Sequence, residues 1–138
     1  MTHSLEGLYR AIDDDLPEQV REILDAKKQL ADASQETPPP VHWAIFRDRL
    51  RIAELILDYG ADIERKDQDR DATPLDYAIM YGRKDIVRML IERNANTEGR
   101  LQLALRAAAG AYEEYSDLPS LDVYQEVAAV MQDMLEPT

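Results

Sequence analysis

Pro39-Pro40-Val41-His42-Trp43-Ala44 and, 34 residues on, Thr73-Pro74-Leu75-Asp76-Tyr77-Ala78 are two versions of one hexapeptide. The agreement continues beyond them. Ile52-Ala53-Glu54-Leu55-Ile56-Leu57 answers to Ile86-Val87-Arg88-Met89-Leu90-Ile91, and Tyr59-Gly60-Ala61-Asp62-Ile63 answers to Arg93-Asn94-Ala95-Asn96. Ala44 and Ala78, Ile52 and Ile86, and Ala61 and Ala95 are each separated by 34 positions. A fixed period of this length marks an array of small structural units.

The hexapeptide has a mechanical reading. Thr73 offers a hydroxyl for a helix cap, Pro74 suits the first turn because its missing N–H would be unpaired there anyway, and Asp76 sits at the capping-box position. The pattern predicts a short helix, small on its inner side at Ala78 and Ile79, broken by Gly82-Arg83. A second helix is expected from Asp85, with Ile86, Met89 and Leu90 on its apolar face. Such a pair leaves an apolar side that only a like neighbour can cover, so the unit implies an array.

These residues resemble the ankyrin repeat. Its Thr-Pro-Leu-His-x-Ala opening and Gly-Ala-Asp-(Val/Ile)-Asn closing are matched by Thr73 to Ala78 and Gly60 to Ile63. His42 fills the histidine position of the first central repeat; Asp76 replaces it in the second, and Pro39 replaces threonine in the first. The run Lys66-Asp67-Gln68-Asp69-Arg70-Asp71-Ala72 departs from the family, which has a glycine and one fewer residue there, so this finger is expected to be remodelled. The resemblance implies an all-α solenoid of about three and a half to four helix-turn-helix repeats with atypical ends. It also implies protein recognition without catalysis, and no cofactor. On this reading residues 1–138 are a single ankyrin-repeat domain with repeats near 4–36, 37–70, 71–100 and 101–136 and an insertion near 111–120.

Toward the N-terminus, Ser4 to Leu24 fit the template at an offset of 33, with Leu8 under Val41, Ala11 under Ala44, Val20 under Ala53 and Ile23 under Ile56. Asp15-Leu16-Pro17-Glu18 reads as a capping box with Asp15 as the cap. The run Ser34-Gln35-Glu36-Thr37-Pro38-Pro39-Pro40 is read as an extended approach to the next helix rather than a ligand for another domain. Toward the C-terminus, Leu101 to Leu105 lie on Leu75 to Ile79 at an offset of 26, which leaves Thr97-Glu98-Gly99-Arg100 as a short connection. Gly110 stops that helix, and Leu121 begins a closing helix with Val123, Val127, Val130, Met131 and Met134 inward.

By the family's geometry, variable residues at the end of each first helix form a row on the concave side: Asp13, Asp14, Phe46, Arg47, Met80 and Tyr81. Aromatic, methionine and arginine side chains are the types enriched where partners bury surface. Packing of Phe46 or Met80 against a neighbouring pair is the competing reading, and Trp43 and Tyr77 are read as core. The remodelled finger adds Asp69, Arg70 and Asp71. The insertion adds Tyr112, Glu113, Glu114, Tyr115 and Asp117, two tyrosines among three acids suited to a basic, partly apolar surface.

Net charge is −12. Residues 1–46 carry four basic against nine acidic side chains, 47–100 eleven against twelve, and 101–138 one against seven. Both ends are acidic, which disfavours nucleic acid as a partner and favours a basic protein. Solubility is the plain alternative. Asp67-x-Asp69-x-Asp71 copies the start of a calcium loop, but no glycine follows at the sixth place, and Ala78 stands where the bidentate Glu belongs. No metal is expected. His3 and His42 are the only histidines, cysteine is absent, and no phosphate loop occurs, so catalysis is not expected.

Met1-Thr2-His3-Ser4-Leu5-Glu6 lacks the head and apolar run of a secretory signal, and no stretch nears the roughly 18 apolar residues of a membrane span. The expectation is a cytoplasmic monomer that binds a protein. An acidic inhibitor of the immunity type, neutralising a basic partner, is the sharper form. An adaptor tethering two partners and, remotely, a metal-dependent hydrolase are the alternatives.

Overall fold

The computed structural model describes residues 3–33 and 38–136, and among them the chain forms eight α-helices, one short 3₁₀ helix and no strand. It divides into two compact units, Met1–Pro74 and Leu75–Thr138. No described helix is long and apolar enough to cross a membrane.

The first unit holds α1 (Leu5–Asp13), α2 (Pro17–Ala26), the 3₁₀ helix Lys28–Asp32, α3 (Pro40–Phe46) and α4 (Leu50–Asp58). Ser4 starts α1 by accepting the Gly7 N–H at 3.0 Å, and proline opens both α2 and α3. Helix α1 packs on α2 and α3, and α2 packs on α4. The eight residues paired by the 33-residue offset, from Leu8 and Val41 to Ile23 and Ile56, are all at most 2% exposed. Full burial of an aliphatic side chain of this size contributes about 1.5–3 kcal/mol before chain entropy is charged. Alanine at 11 and 44 keeps the backbones of α1 and α3 close.

The second unit holds α5 (Pro74–Met80, whose first residue is the boundary), α6 (Lys84–Glu92), α7 (Arg100–Ala108) and α8 (Leu121–Leu135). Leu75, Tyr77, Ala78 and Ile79 of α5 and Ile86, Val87, Met89 and Leu90 of α6 are buried. Helix α8 packs on α6 and most extensively on α7.

One turn recurs through both units. After α1, Asp15 takes φ 56°, its N–H bonds the Ile12 carbonyl at 3.1 Å, and the Leu16 N–H bonds the Ala11 carbonyl at 3.0 Å. The same pair of bonds closes α3 at Asp48 (φ 60°), α5 at Gly82 (φ 70°) and α7 at Gly110 (φ 103°), and closes α4 at Gly60 and α6 at Asn94. Each is a left-handed helix end that satisfies carbonyls otherwise left unpaired.

That turn corrects one expectation. Asp15 is not the cap of α2; Leu16 occupies the cap position and no side chain bonds there. Pro17 fixes the first helical residue of α2, and Asp15 instead holds the left-handed position that ends α1. Three smaller shifts accompany it. Helix α6 starts at Lys84, one residue before Asp85. In α8 the buried residues are Tyr124, Val127, Ala128 and Met131, while Val123, Val130 and Met134 are half-buried. Tyr77 is core as expected, but Trp43 is only half-buried. Of the proline-led run, Ser34 to Thr37 lie outside the described residues; Pro39 is extended (φ −61°, ψ 163°) and Pro40 opens α3.

Candidate functional site

In the first unit the end of α1 and the end of α3 are tied together. The Trp43 Nε1–H donates to Asp13 Oδ1 at 2.7 Å, and the Arg47 guanidinium lies 3.6 Å from the same oxygen. Phe46 stacks on Trp43 with ring centroids 5.2 Å apart and planes 28° from parallel. Asp13, Phe46 and Arg47 are therefore brought to one place, with Trp43 as the platform. The Asp13 and Arg47 side chains are each about two-fifths exposed, so their ion pair is worth at most about 0.5 kcal/mol. Asp14 is exposed and its carboxylate makes no bond among the described residues.

Arg49 was not legible as part of this arrangement. It stands just before α4 yet reaches back to donate to the carbonyls of Ile12 (3.1 Å) and Asp13 (2.7 Å). A cation at those terminal carbonyls meets the negative end of the helix dipole. Nothing local in the sequence marks a contact 36 or 37 residues away.

The finger is organised by Asp67, a residue read from sequence only as a weak metal candidate. It is 3% exposed. Its Oδ1 accepts the backbone N–H groups of Arg70 (3.1 Å) and Ala72 (3.0 Å), and its own N–H and carbonyl bond Ala72 and Asp71. Asp71 takes the left-handed conformation at φ 54°. Asp69, Arg70 and Asp71 are thereby held at the exposed tip, with Lys66 3.7 Å from Asp71. Among the described residues no three His, Asp or Glu side chains converge as metal ligands would.

Two buried or half-buried polar groups fix the base of that finger. The His42 Nε2–H donates to the Ala72 carbonyl at 2.9 Å, and burial pushes the imidazole below its ordinary value, outweighing the Ala72 bond and the Asp67 charge that favour the proton. Arg65 grips Asp32 with two bonds of 2.7 Å, and the guanidinium holds that carboxyl below the usual carboxylate range.

In the second unit Tyr124 is the centre. It is 2% exposed, its hydroxyl donates to the Met80 carbonyl at 2.5 Å, and burial, with Tyr112 and Tyr81 nearby, pushes its phenol up to about 12. Tyr112 lies against it with centroids 5.6 Å apart, and Tyr115 lies 6.3 Å beyond Tyr112. Tyr81 meets Tyr77 edge-on at 5.5 Å. Met80, Tyr81 and the insertion thus gather around one tyrosine that the valine and methionine spacing of α8 did not single out. Glu113, Glu114, Tyr115 and Asp117 are exposed.

A model of the ankyrin-repeat family, built for three copies of the repeat, matches residues 8–100. The mouse palmitoyltransferase ZDHHC13 is 28% identical over 79 residues, which is 57% of this chain and 13% of the relative. Its human counterpart is 27% identical over the same length. Dauer abnormal formation protein 25 of Caenorhabditis elegans is 27% identical over 111 residues, 77% of this chain and 29% of the relative. The chain thus spans less than a third of the length of these relatives, and the transferase activity named for the mouse and human proteins is said of those proteins alone. The matched family region ends at Arg100, the first residue of α7, so the rest of α7, the insertion and α8 lie beyond it.

Proposed function

The chain belongs to the ankyrin-repeat family, whose arrays bind proteins, and from that membership we propose that it is a recognition module for a basic protein partner. The observation that carries the basic partner is the state of its acids. Asp14, Asp69, Glu113, Glu114 and Asp117 are exposed and have no ion pair among the described residues, whereas Asp13, Asp32, Asp67 and Asp76 are committed to internal bonds. Exposed acids without internal partners keep their full attraction for an approaching cationic surface, and a partner that pairs them gains on-rate and register. The contact set we propose is Asp13, Asp14, Phe46 and Arg47, the finger tip Asp69, Arg70 and Asp71, then Met80 and Tyr81, and the insertion residues Tyr112, Glu113, Glu114, Tyr115 and Asp117.

The sharper form is an inhibitor of the immunity type, which occludes a basic active-site cleft and has no catalysis of its own. Its support is the acidity of both ends, and the net charge of −12. The test compares the chain with a variant carrying Asp14→Asn, Glu113→Gln, Glu114→Gln and Asp117→Asn as bait in extracts of the source cell. One dominant basic protein, held at low salt, released at high salt and lost with the variant, supports the reading; loss of that protein's own activity on binding supports the inhibitor. Two proteins held at once on separable surfaces would establish an adaptor instead. Retention that ignores both salt and the substitutions would sink the basic-partner reading.

A further inference from the structure

Between the insertion and helices α7 and α8 lies a cleft of about 290 Å³. Its lining is of four kinds. Leu118 and Pro119 are among its apolar residues; Tyr112, Tyr115 and Tyr124 present rings; Ser116 and Ser120 add hydroxyls; Glu113 brings a carboxylate. The Tyr124 hydroxyl is spent on the Met80 carbonyl, so that residue offers ring rather than O–H. The three rings step from the buried floor at Tyr124, through half-buried Tyr112, to Tyr115 at the rim, 52% exposed.

Glu113 folds back over the end of α7. A Cβ built on Gly110 would fall 2.6 Å from Glu113 Oε1, a contact that this exposed, flexible side chain would relieve by swinging away. Its carboxylate makes no hydrogen bond or ion pair among the described residues, while its N–H donates to the Gly110 carbonyl at 3.2 Å. Arg106, the one basic residue of 101–138, is exposed on α7 and does not line the cleft.

We propose that this cleft takes a single arginine or lysine side chain of the partner, its alkyl stem along Leu118 and Pro119 and its charged head between the Tyr112 and Tyr115 rings and Glu113. Tyrosine faces attract a cation, and an alkyl stem on an apolar wall leaves the head free to reach a carboxylate. A neutral apolar occupant would strip water from Glu113 without replacing it, and an anion would be repelled. The volume is just below the roughly 300 Å³ at which pockets for larger ligands begin. The inference rests on the basic-partner reading and names where that partner is read most closely.

The test is a titration of the isotope-labelled 138-residue chain with N-acetyl-arginine amide and N-acetyl-lysine amide, with N-acetyl-norleucine amide as the uncharged control. The cationic amides should shift the resonances of Gly110, Glu113, Ser116 and Leu118 and leave α1 and α3 unmoved; the tighter of the two identifies the residue read. Glu113→Gln, at an exposed position that leaves the fold intact, should weaken binding about three- to tenfold, and Tyr112→Leu similarly. Equal binding of the norleucine amide, an unchanged affinity in Glu113→Gln, or shifts scattered over the acidic surface would overturn the proposal. A cleft that binds the cations while no basic protein is retained overturns the partner reading alone; a retained basic protein indifferent to Glu113→Gln overturns the cleft alone.

Discussion

Asp48 and Gly82 hold the same place in successive repeats, 34 residues apart, and both take the left-handed conformation that ends a helix, at φ 60° and 70°. Their surroundings differ. Asp48 is exposed, whereas a Cβ on Gly82 would fall 2.4 Å from Val123 Cγ1 and 3.1 Å from Pro119 Cγ. The first turn needs only a residue that tolerates the backbone, which aspartate does at modest cost; the second needs one with no side chain at all. A repeat fixes the backbone at both places, and what is packed on it decides the residue. Alanine at both positions would break or sharpen this contrast. Gly82→Ala combines backbone strain with overpacking and should cost about 2–4 kcal/mol, against about 1 kcal/mol for Asp48→Ala. Urea unfolding, with amide hydrogen exchange to follow each unit by its own helices, reads both. Equal costs would mean that Val123 and Pro119 yield freely and that the difference is accidental.

The histidine position of the repeat gives a second contrast. His42 reaches forward to the Ala72 carbonyl, while Asp76 reaches forward to Arg100 at 2.9 and 3.3 Å. Each ties the first helix of a pair to the backbone or side chain at the entrance to a later helix. One uses a buried neutral ring, the other an ion pair whose side chains are about one-fifth exposed. Asp76→Asn removes the negative charge that faces Arg100 in a place that water reaches poorly, and should cost about 1–2 kcal/mol by urea unfolding. A change below a few tenths would show that solvent screens the pair.

His42 makes the first unit sensitive to mild acid. Its folded-state value is lowered, so between that value and the unfolded one, near 6.5, the unfolded chain binds more protons and stability falls as pH falls. The contribution is whole above about pH 6.5 and is lost below it, at no more than about 1.4 kcal/mol per pH unit. Asp32 acts in a separate window, because its lowered carboxyl is stabilising above its ordinary 3.8 and loses that effect only as pH drops further. Unfolding free energy measured from pH 7.5 to 5 should therefore decline, with hydrogen-exchange protection, corrected for the intrinsic rate at each pH, falling in α3 and α4 before α8. His42→Asn should flatten that slope; an unchanged slope would remove His42 as its source.

The helix pairs, their period and their inward faces were legible because each is carried by residues adjacent in sequence: the proline-led opening, the alanines at 44 and 78, the isoleucines at 52 and 86. Asp15 was misread because Asp-x-Pro-Glu matches a capping box locally, while the demand for a left-handed residue comes from the helix before it. Arg49, Asp67 and Tyr124 were passed over for a different reason. Arg49 and Tyr124 meet partners 36 and 44 residues away. Asp67 bonds residues three and five positions on, a local pairing that its reading as a metal candidate did not include. The acidic insertion was legible as unusual; the cleft beneath it was not, since it needs Tyr124 from α8 and Ala107 from α7.

The smallest expected effect carries the sign of the first comparison. If aspartate at 48 is merely tolerated, Asp48→Gly should relieve part of the strain of a left-handed residue and be stabilising by about 0.5 kcal/mol, because the relief slightly exceeds the entropy glycine adds to the unfolded chain. Asp15→Gly should behave alike, since it sits in the same turn one repeat earlier at φ 56°. If either change is destabilising by a similar amount, the aspartate supplies something that its backbone angle does not show. A local bond from its carboxylate to the next amides is the natural source, and Asp48→Asn, which keeps an oxygen there and drops the charge, would then retain the wild-type stability.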